Sequence, residues 1–202
     1  MIKINHLTKK FDDRKLFSDY CLTIEDGKFI IFCGPSGCGK TTLLNMIGAI
    51  EKIDSGEIVV DGINISDKRN HLNYFRTKIG FLFQNFALVD NKTVKENLKL
   101  IRKDCMTNMT IEEALRIVGL EDKLNKKVYT LSGGEQQRVA LARLILKKCD
   151  VILADEPTGS LDRDNAAAVL NILKQLNQQG KTIILVTHDD YIKNQGDEVI
   201  YL

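Results

Sequence analysis

No apolar run in this sequence approaches the roughly 18 residues that a membrane-crossing helix needs. The opening Met1-Ile2-Lys3-Ile4 carries no signal-peptide apolar region. A cytosolic protein is expected, with any membrane association arriving through a partner. A strong charge of either sign is also missing. The formal net charge of +2 gives no global case for a nucleic-acid or acidic-membrane partner, and the basic runs Arg14-Lys15 and Lys147-Lys148 read as solvated faces. Proline is nearly absent: only Pro35 and Pro157 occur, and no linker, internal repeat or low-complexity tract divides the chain. The five cysteines (Cys21, Cys33, Cys38, Cys105, Cys149) include no Cys-x-x-Cys pair, so reduced thiols serving as small apolar fillers are expected. With 202 residues, 44% hydrophobic and 28% charged, what remains is one soluble domain of ordinary burial.

What is present is organised around Gly34-Pro35-Ser36-Gly37-Cys38-Gly39-Lys40-Thr41, which has the G-x-x-x-x-G-K-[ST] pattern of a phosphate-binding loop. Residues 28–33 read as a short buried strand and residues 42–47 as the start of a helix, the context the motif requires. The glycines let successive N–H groups converge on one anion, and the helix adds the positive end of its dipole. In this pattern Lys40 holds the β- and γ-phosphates and the Thr41 hydroxyl ligates Mg²⁺. Binding of a nucleoside triphosphate is implied.

Residues 2–7 alternate apolar and polar as a half-exposed strand does. Residues 8–14 read as a polar turn with one aromatic, Phe11, residues 16–24 as a second strand, and residues 55–62 as a third between turn residues. An antiparallel meander beside the phosphate-loop core is expected. Residues 78–86 read as a strand ending in glutamine. From about residue 92 to 124 the period becomes helical, with Val94, Leu98 and Ile101 on one face and Ala114, Leu115, Val118 and Leu120 on another. A helix over 165–178 and a strand over 182–187 close a βαβ unit. The expected architecture is a single α/β domain spanning 1–202. It has a P-loop NTPase core of mostly parallel sheet, an N-terminal antiparallel β subdomain, and an α-helical subdomain inserted at about 88–133.

Two further motifs carry chemistry. Residues 150–156 form an apolar strand ending in Asp155 and Glu156. Beside a phosphate loop, Asp155 is placed for the Mg²⁺ shell and Glu156 to polarise a water against the γ-phosphate; the bland alternative is a solvated acidic turn. Leu131-Ser132-Gly133-Gly134-Glu135-Gln136 precedes a helical run. A capping box explains Ser132 and Glu135 but not two adjacent glycines, whose exposed N–H groups suit a second anion site. His188 follows a core strand, which favours chemistry over packing, whereas His6 and His71 read as surface or packing residues.

These motifs, in this order, resemble those of the ATP-binding cassette (ABC) ATPases across essentially the whole chain. Residues 34–41 look like Walker A, Gln84 the Q-loop glutamine, residues 131–136 the signature, and residues 151–155 Walker B with Glu156 after it. Gly159-Ser160-Leu161-Asp162 looks like the D-loop and His188 the switch histidine. The resemblance implies that two copies dimerise head to tail around two ATPs. Ser132, Gly133 and Gly134 would then reach the partner's γ-phosphate. Pro35, Ser36, Cys38 and the loop glycines, with Lys40, Thr41, Thr42, Gln84 and Asp155, would hold phosphates and Mg²⁺ in cis. Glu156 would act as general base, His188 would orient γ-phosphate and water, Asp162 would cross the interface, and Phe11 would stack on adenine, unless it is only a hydrophobic plug. The apolar excess of Phe81, Phe83, Phe86, Leu88 and Val89 resembles the groove that receives the coupling helix of an integral membrane permease, which would keep the protein at the inner face of the cell membrane. Residues 154–162 with 80–89 are most similar to the ATPases of lipoprotein-release, macrolide-export and bacteriocin- or peptide-export systems. An export ATPase is the leading expectation, beside a mechanotransmitting ATPase of a cell-division or peptide-sensing complex, or a soluble non-transport cassette. Cys38, inside the phosphate loop where relatives carry small aliphatic or hydroxyl residues, is expected to block ATP binding when oxidised or alkylated.

Overall fold

Strands that are apolar on both faces and strands that alternate build two different sheets. The computed structural model describes residues 1–202, the side chain of Asp190 excepted. One sheet is wholly parallel, in the order β6-β7-β8-β3-β9. It comprises β3 (Phe29–Cys33), β6 (Ile79–Leu82), β7 (Val151–Asp155), β8 (Thr182–Val186) and β9 (Glu198–Tyr201). Strands β3 and β8 are buried at every residue, as parallel strands covered on both faces must be. Along β3, Ile30 and Phe32 pack with Leu43, Leu44 and Ile47 of α1 (Lys40–Ile47). Phe29 and Ile31 face the opposite cluster, which includes α5 (Gly133–Leu146) and α6 (Arg163–Gln178).

The second sheet is antiparallel, β2-β1-β4-β5, from β1 (Ile2–Phe11), β2 (Arg14–Ile24), β4 (Ser55–Val60) and β5 (Ile63–Asn64). It is not a meander. The chain leaves to form β3 and α1 before β4 returns to the free edge of β1, Ile2 opposite Val60. Nor are residues 8–14 a turn: β1 runs on to Phe11, which pairs with Arg14, and only Asp12 and Asp13 turn. Three register shifts between β1 and β2, with left-handed His6 (φ 51°) and Asp19 (φ 55°), break the period-2 alternation by which the far half of β1 would be read as strand.

Strand β6 ends at Leu82 rather than near residue 86, and left-handed Phe86 and Ala87, at φ 60° and 48°, bar extended backbone at the expected end. Between β5 and β6 runs α2 (His71–Thr77). The helical stretch is broken into α3 (Val94–Leu98) and α4 (Ile111–Ile117), each opened by a capping box, Thr93 with Glu96 and Thr110 with Glu113. Val94, Leu98, Ala114, Leu115, Val118 and Leu120 are buried; Ile101 is only partly so. After β8, α7 (Asp190–Lys193) leads to β9. Among the described residues no helix is long and apolar enough to cross a membrane.

Candidate active site

The carboxyl ends of β3, β6, β7 and β8 open on one edge of the parallel sheet, where open α/β folds bind ligands. Residues 34–39 join β3 to α1 there. Gly39, the N-cap of α1, is left-handed at φ 108° and offers no side-chain cap, so no side chain has taken the first-turn N–H groups. A Cβ at Gly39 would lie 2.9 Å from Phe17 Cζ, so the loop presses on β2 as only glycine allows. Lys40 Nζ curls back and donates to the carbonyls of Gly34 (2.8 Å) and Pro35 (2.9 Å). Pro35 and Ser36 are exposed, Thr42 is half-buried in the first turn of α1, and half-buried Cys38 places Sγ 3.8 Å from Lys40 Nζ. Arg14 is exposed, as a solvated face requires, and its Nη2 also donates to Gly37 O at 2.8 Å, tying the β1–β2 turn to the loop. Phe11, beside it, is 45% exposed, with Lys9 Nζ 4.6 Å from its ring centroid.

The Thr41 hydroxyl donates to Asp155 Oδ1 at 2.9 Å. Burial pushes the Asp155 carboxyl above its ordinary range and the neighbouring Glu156 charge adds to this, while the Thr41 bond opposes it. A hard cation beside these two oxygens would remove that penalty. Among the described residues no three His, Cys, Asp or Glu side chains cluster as a cation cage. A hydroxyl and a carboxylate oxygen side by side are the hard donors that Mg²⁺ takes, the rest of its shell being waters and phosphate oxygens.

Glu156 follows β7 in a left-handed conformation, φ 44°, uncommon for a non-glycine residue and held only where surroundings enforce it. Its N–H donates to Val186 O at 3.0 Å. Its Oε1 pairs with Nδ1 of His188 at 2.8 Å, the histidine being 74% exposed and the carboxylate 17%. Gln84 leaves the end of β6 into a cleft of about 630 Å³ shared with Asn85, Gly133, Asp155 and Ser160.

Ser132 caps α5 with a complete capping box: Ser132 Oγ accepts from Glu135 N, and Glu135 Oε2 accepts from Ser132 N at 2.8 Å. That backbone bond, helped by Lys123, holds the Glu135 carboxyl below its usual range. The two glycines differ. Gly134 is buried, and a Cβ there would lie 2.7 Å from Asn165 Cγ. Gly133 is exposed, and a Cβ would meet only Phe86 Cζ at 3.8 Å; nothing in this chain requires it to be glycine. Asp162 caps α6, accepting from Asn165 N (2.9 Å) and Nδ2 (2.6 Å), which holds its carboxyl below the ordinary range.

The apolar segment after Gly80 splits in two. Phe81 and Phe83 stack with centroids 5.2 Å apart and line a groove of about 410 Å³ with Phe75, Leu100 and Ile101, beside Arg76 and Arg102. Phe86 and Leu88 instead pack on the helical core, and Val89 is exposed. Lys147, unlike exposed Lys148, is no solvated charge: it is half-buried and donates Nζ to Ile79 O. Arg143 has no place in any motif, yet its guanidinium donates to the carbonyls of Ala87 and, at 3.0 Å, Phe86. Burial lowers its pKa.

A family model described as "ABC transporter" matches residues 17–159. The chain is 36% identical, over all of its length and 86% of the relative's, to the glutamine transport ATP-binding protein GlnQ of Geobacillus stearothermophilus. It is 39% identical, over 99% of its length, to the macrolide export ATP-binding/permease protein MacB of Campylobacter jejuni, of which it spans 32%. It superposes with TM-score 0.86 and 37% identity on the ATP-binding cassette MJ0796 of Methanocaldococcus jannaschii, a dimer in a post-hydrolysis state bound to ADP and Pi; all of this chain and 94% of that one are covered.

Proposed function

Since this chain belongs to the ABC transporter family, as one of its ATP-binding and ATP-hydrolysing subunits, we propose that it works as a head-to-tail dimer closing on two ATPs to drive export through a membrane permease. The observation that carries this reading is Gly133: an exposed glycine at a capped helix start, with no reason inside its own chain, fits phosphates arriving from a second copy.

In cis, the loop 34–39 and Lys40 hold the β- and γ-phosphates, Thr42 supports them, and Phe11 stacks on adenine. Thr41, Asp155 and Gln84 are the residues that would hold Mg²⁺, which supplies neutralisation of the phosphate charge. Glu156 takes the proton of the attacking water as its oxygen bonds to the γ-phosphorus, the bond to the ADP oxygen breaks, and ADP and phosphate leave. His188, bonded to the Glu156 carboxylate, steers it and the γ-phosphate. Ser132, Gly133 and Gly134 close on the partner's γ-phosphate, and Asp162 lies at the interface between copies.

Residues 88–133 act as the helical subdomain, which supplies Leu100 and Ile101 to the permease contact. The groove of Phe75, Phe81, Phe83, Leu100 and Ile101 suits an amphipathic coupling helix laid in by its apolar face, and Arg76 beside it favours a carboxylate on that helix, Arg102 being paired with Asp104. The protein then sits peripherally at the inner face of the cell membrane. The export direction rests on the 39% identity to MacB.

Glu156→Gln keeps shape but removes the base, so turnover falls about 10²–10⁴-fold while ATP now holds a stable dimer. Size-exclusion chromatography with ATP and Mg²⁺ checks it. A variant that remains monomeric at saturating ATP contradicts the dimer reading, and one with wild-type turnover contradicts the assignment of the base.

A further inference from the structure

One buried polar side chain has no role in the chemistry above. Gln137 lies one turn into α5, is 1% exposed, and donates Nε2 to the carbonyl of Pro157 at 2.6 Å. Its Oε1 accepts from no described group. The orientation of the amide is chemically determined: a proline carbonyl only accepts, so the nitrogen must face it. A buried acceptor without a partner is costly to the fold, and a methionine of similar size would avoid the cost.

The contact falls on the peptide that follows Glu156. Glu156 has its N–H bound to Val186 O and its carbonyl bound by Gly159 N at 3.2 Å; Gln137 holds the next carbonyl along. Three residues before Gln137, on the same side of α5, Gly134 sits against Asn165. Asn165 in turn accepts from Arg138 of α5 and donates to Asp162. The start of α5 is thus joined to residues 156–165 at two places.

We propose that Gln137 is a positioning residue that locks the Ser132-Gly133-Gly134 turn to the Glu156–Pro157 backbone from which the Glu156 carboxylate projects, so that both move as one body. The proposal rests on the two-subunit reading above. In that dimer the body touches its own ATP through Glu156 and the partner's through residues 132–134, and Gln137 carries the state of one ATP to the other.

The test is Gln137→Met in the full chain, read by kcat, KM, Hill coefficient for ATP, nucleotide affinity of the isolated subunit, and Tm. The expected result has subunit affinity within about twofold and Tm unchanged or higher. In the same variant kcat falls about tenfold or more, as small misplacements near reacting groups do, and the Hill coefficient drops from near the two-site limit of about 2 toward 1. Wild-type kcat and Hill coefficient in the variant overturn the proposal. So does a loss of kcat that merely tracks a lower Tm and weaker nucleotide affinity. Should Gln137→Met not fold, Asn165→Ala cuts the second tie and must reduce the Hill coefficient with subunit affinity intact; undiminished cooperativity there is equally fatal. A wild-type protein that hydrolyses ATP without cooperativity and never dimerises overturns the two-subunit reading, and this proposal with it.

Discussion

Adjacent glycines at the start of α5 should respond to alanine in opposite directions. At Gly134 a Cβ would sit 2.7, 2.8 and 2.9 Å from Cγ, Oδ1 and Nδ2 of Asn165. That amide cannot swing away freely, because it is bonded to Asp162 and Arg138. Overpacking of this kind costs about 1–3 kcal/mol, offset by about 0.4–1 kcal/mol from the stiffer unfolded chain. The midpoints of these ranges leave a net loss of about 1.3 kcal/mol, which lowers Tm by about 3–5 °C at this chain length. At Gly133 the backbone is helical and the nearest atom is 3.8 Å from the added Cβ, so only the gain of about 0.4–1 kcal/mol applies and Tm rises by about 1–4 °C. Hydrolysis should fall in both variants, in Gly133→Ala because, on the proposed two-subunit arrangement, the methyl group stands where the partner's phosphate would come. Calorimetry with a steady-state ATPase assay on the same preparations separates the two effects. A Gly133→Ala protein that melts lower than wild type refutes the steric reasoning, and one that melts higher yet hydrolyses ATP at full rate shows that nothing approaches Gly133.

Asp155→Asn should stabilise the nucleotide-free protein and abolish Mg²⁺-dependent hydrolysis. Burial holds this carboxyl above the ordinary value of 3.8, so the folded chain keeps a proton that the unfolded chain releases. Stability therefore falls as pH rises from that ordinary value through the raised one, and the whole penalty stands at neutral pH. The amide carries no charge to bury, so the gain in Tm should be present at neutral pH and fade in acid; a variant melting lower at neutral pH contradicts the account. At Cys38, with Sγ 3.8 Å from Lys40 Nζ, a maleimide adduct fills the loop. In a Cys21→Ser background, modification should abolish nucleotide binding and bound ATP should slow it; undiminished binding by the modified protein removes Cys38 as a vulnerable point.

The parallel core is readable because buried strands such as β3 and β8 are near-continuous apolar runs between turn residues, and the strand–loop–helix join at residues 34–39 because its glycines stand at fixed spacing between such a strand and a helical run. The far half of β1 was not, since its bulges and left-handed His6 conceal the alternation. Strand β6 was overread because Phe83 and Phe86 look like strand residues, although one lines a groove and the other packs on helices. In the site, Gly134 looked like half of an anion turn, yet its tight partner, Asn165, is a tertiary neighbour that no local pattern indicates. Arg14, Lys147 and Gln137 were missed for the same reason: each is bonded to a carbonyl distant in sequence. Periodicity reports which face of a helix is apolar, not which amide across the core a lone polar group will meet.

Every tie just described on α5 is spaced along one rod. Near its start are Gly133 and the Gln137 bond to Pro157; farther on, Arg143 grips the carbonyls of Phe86 and Ala87, and just past its end Lys147 reaches Ile79. At 1.5 Å per residue, the span from 133 to 147 is about 21 Å. A displacement imposed at the groove would enter this strut through the Arg143 and Lys147 side chains and be carried by the helix as a rigid body to the Gln137 end. The same geometry keeps the two ends apart: groove side chains such as Leu100 and Ile101 can be exchanged without touching the start of the helix.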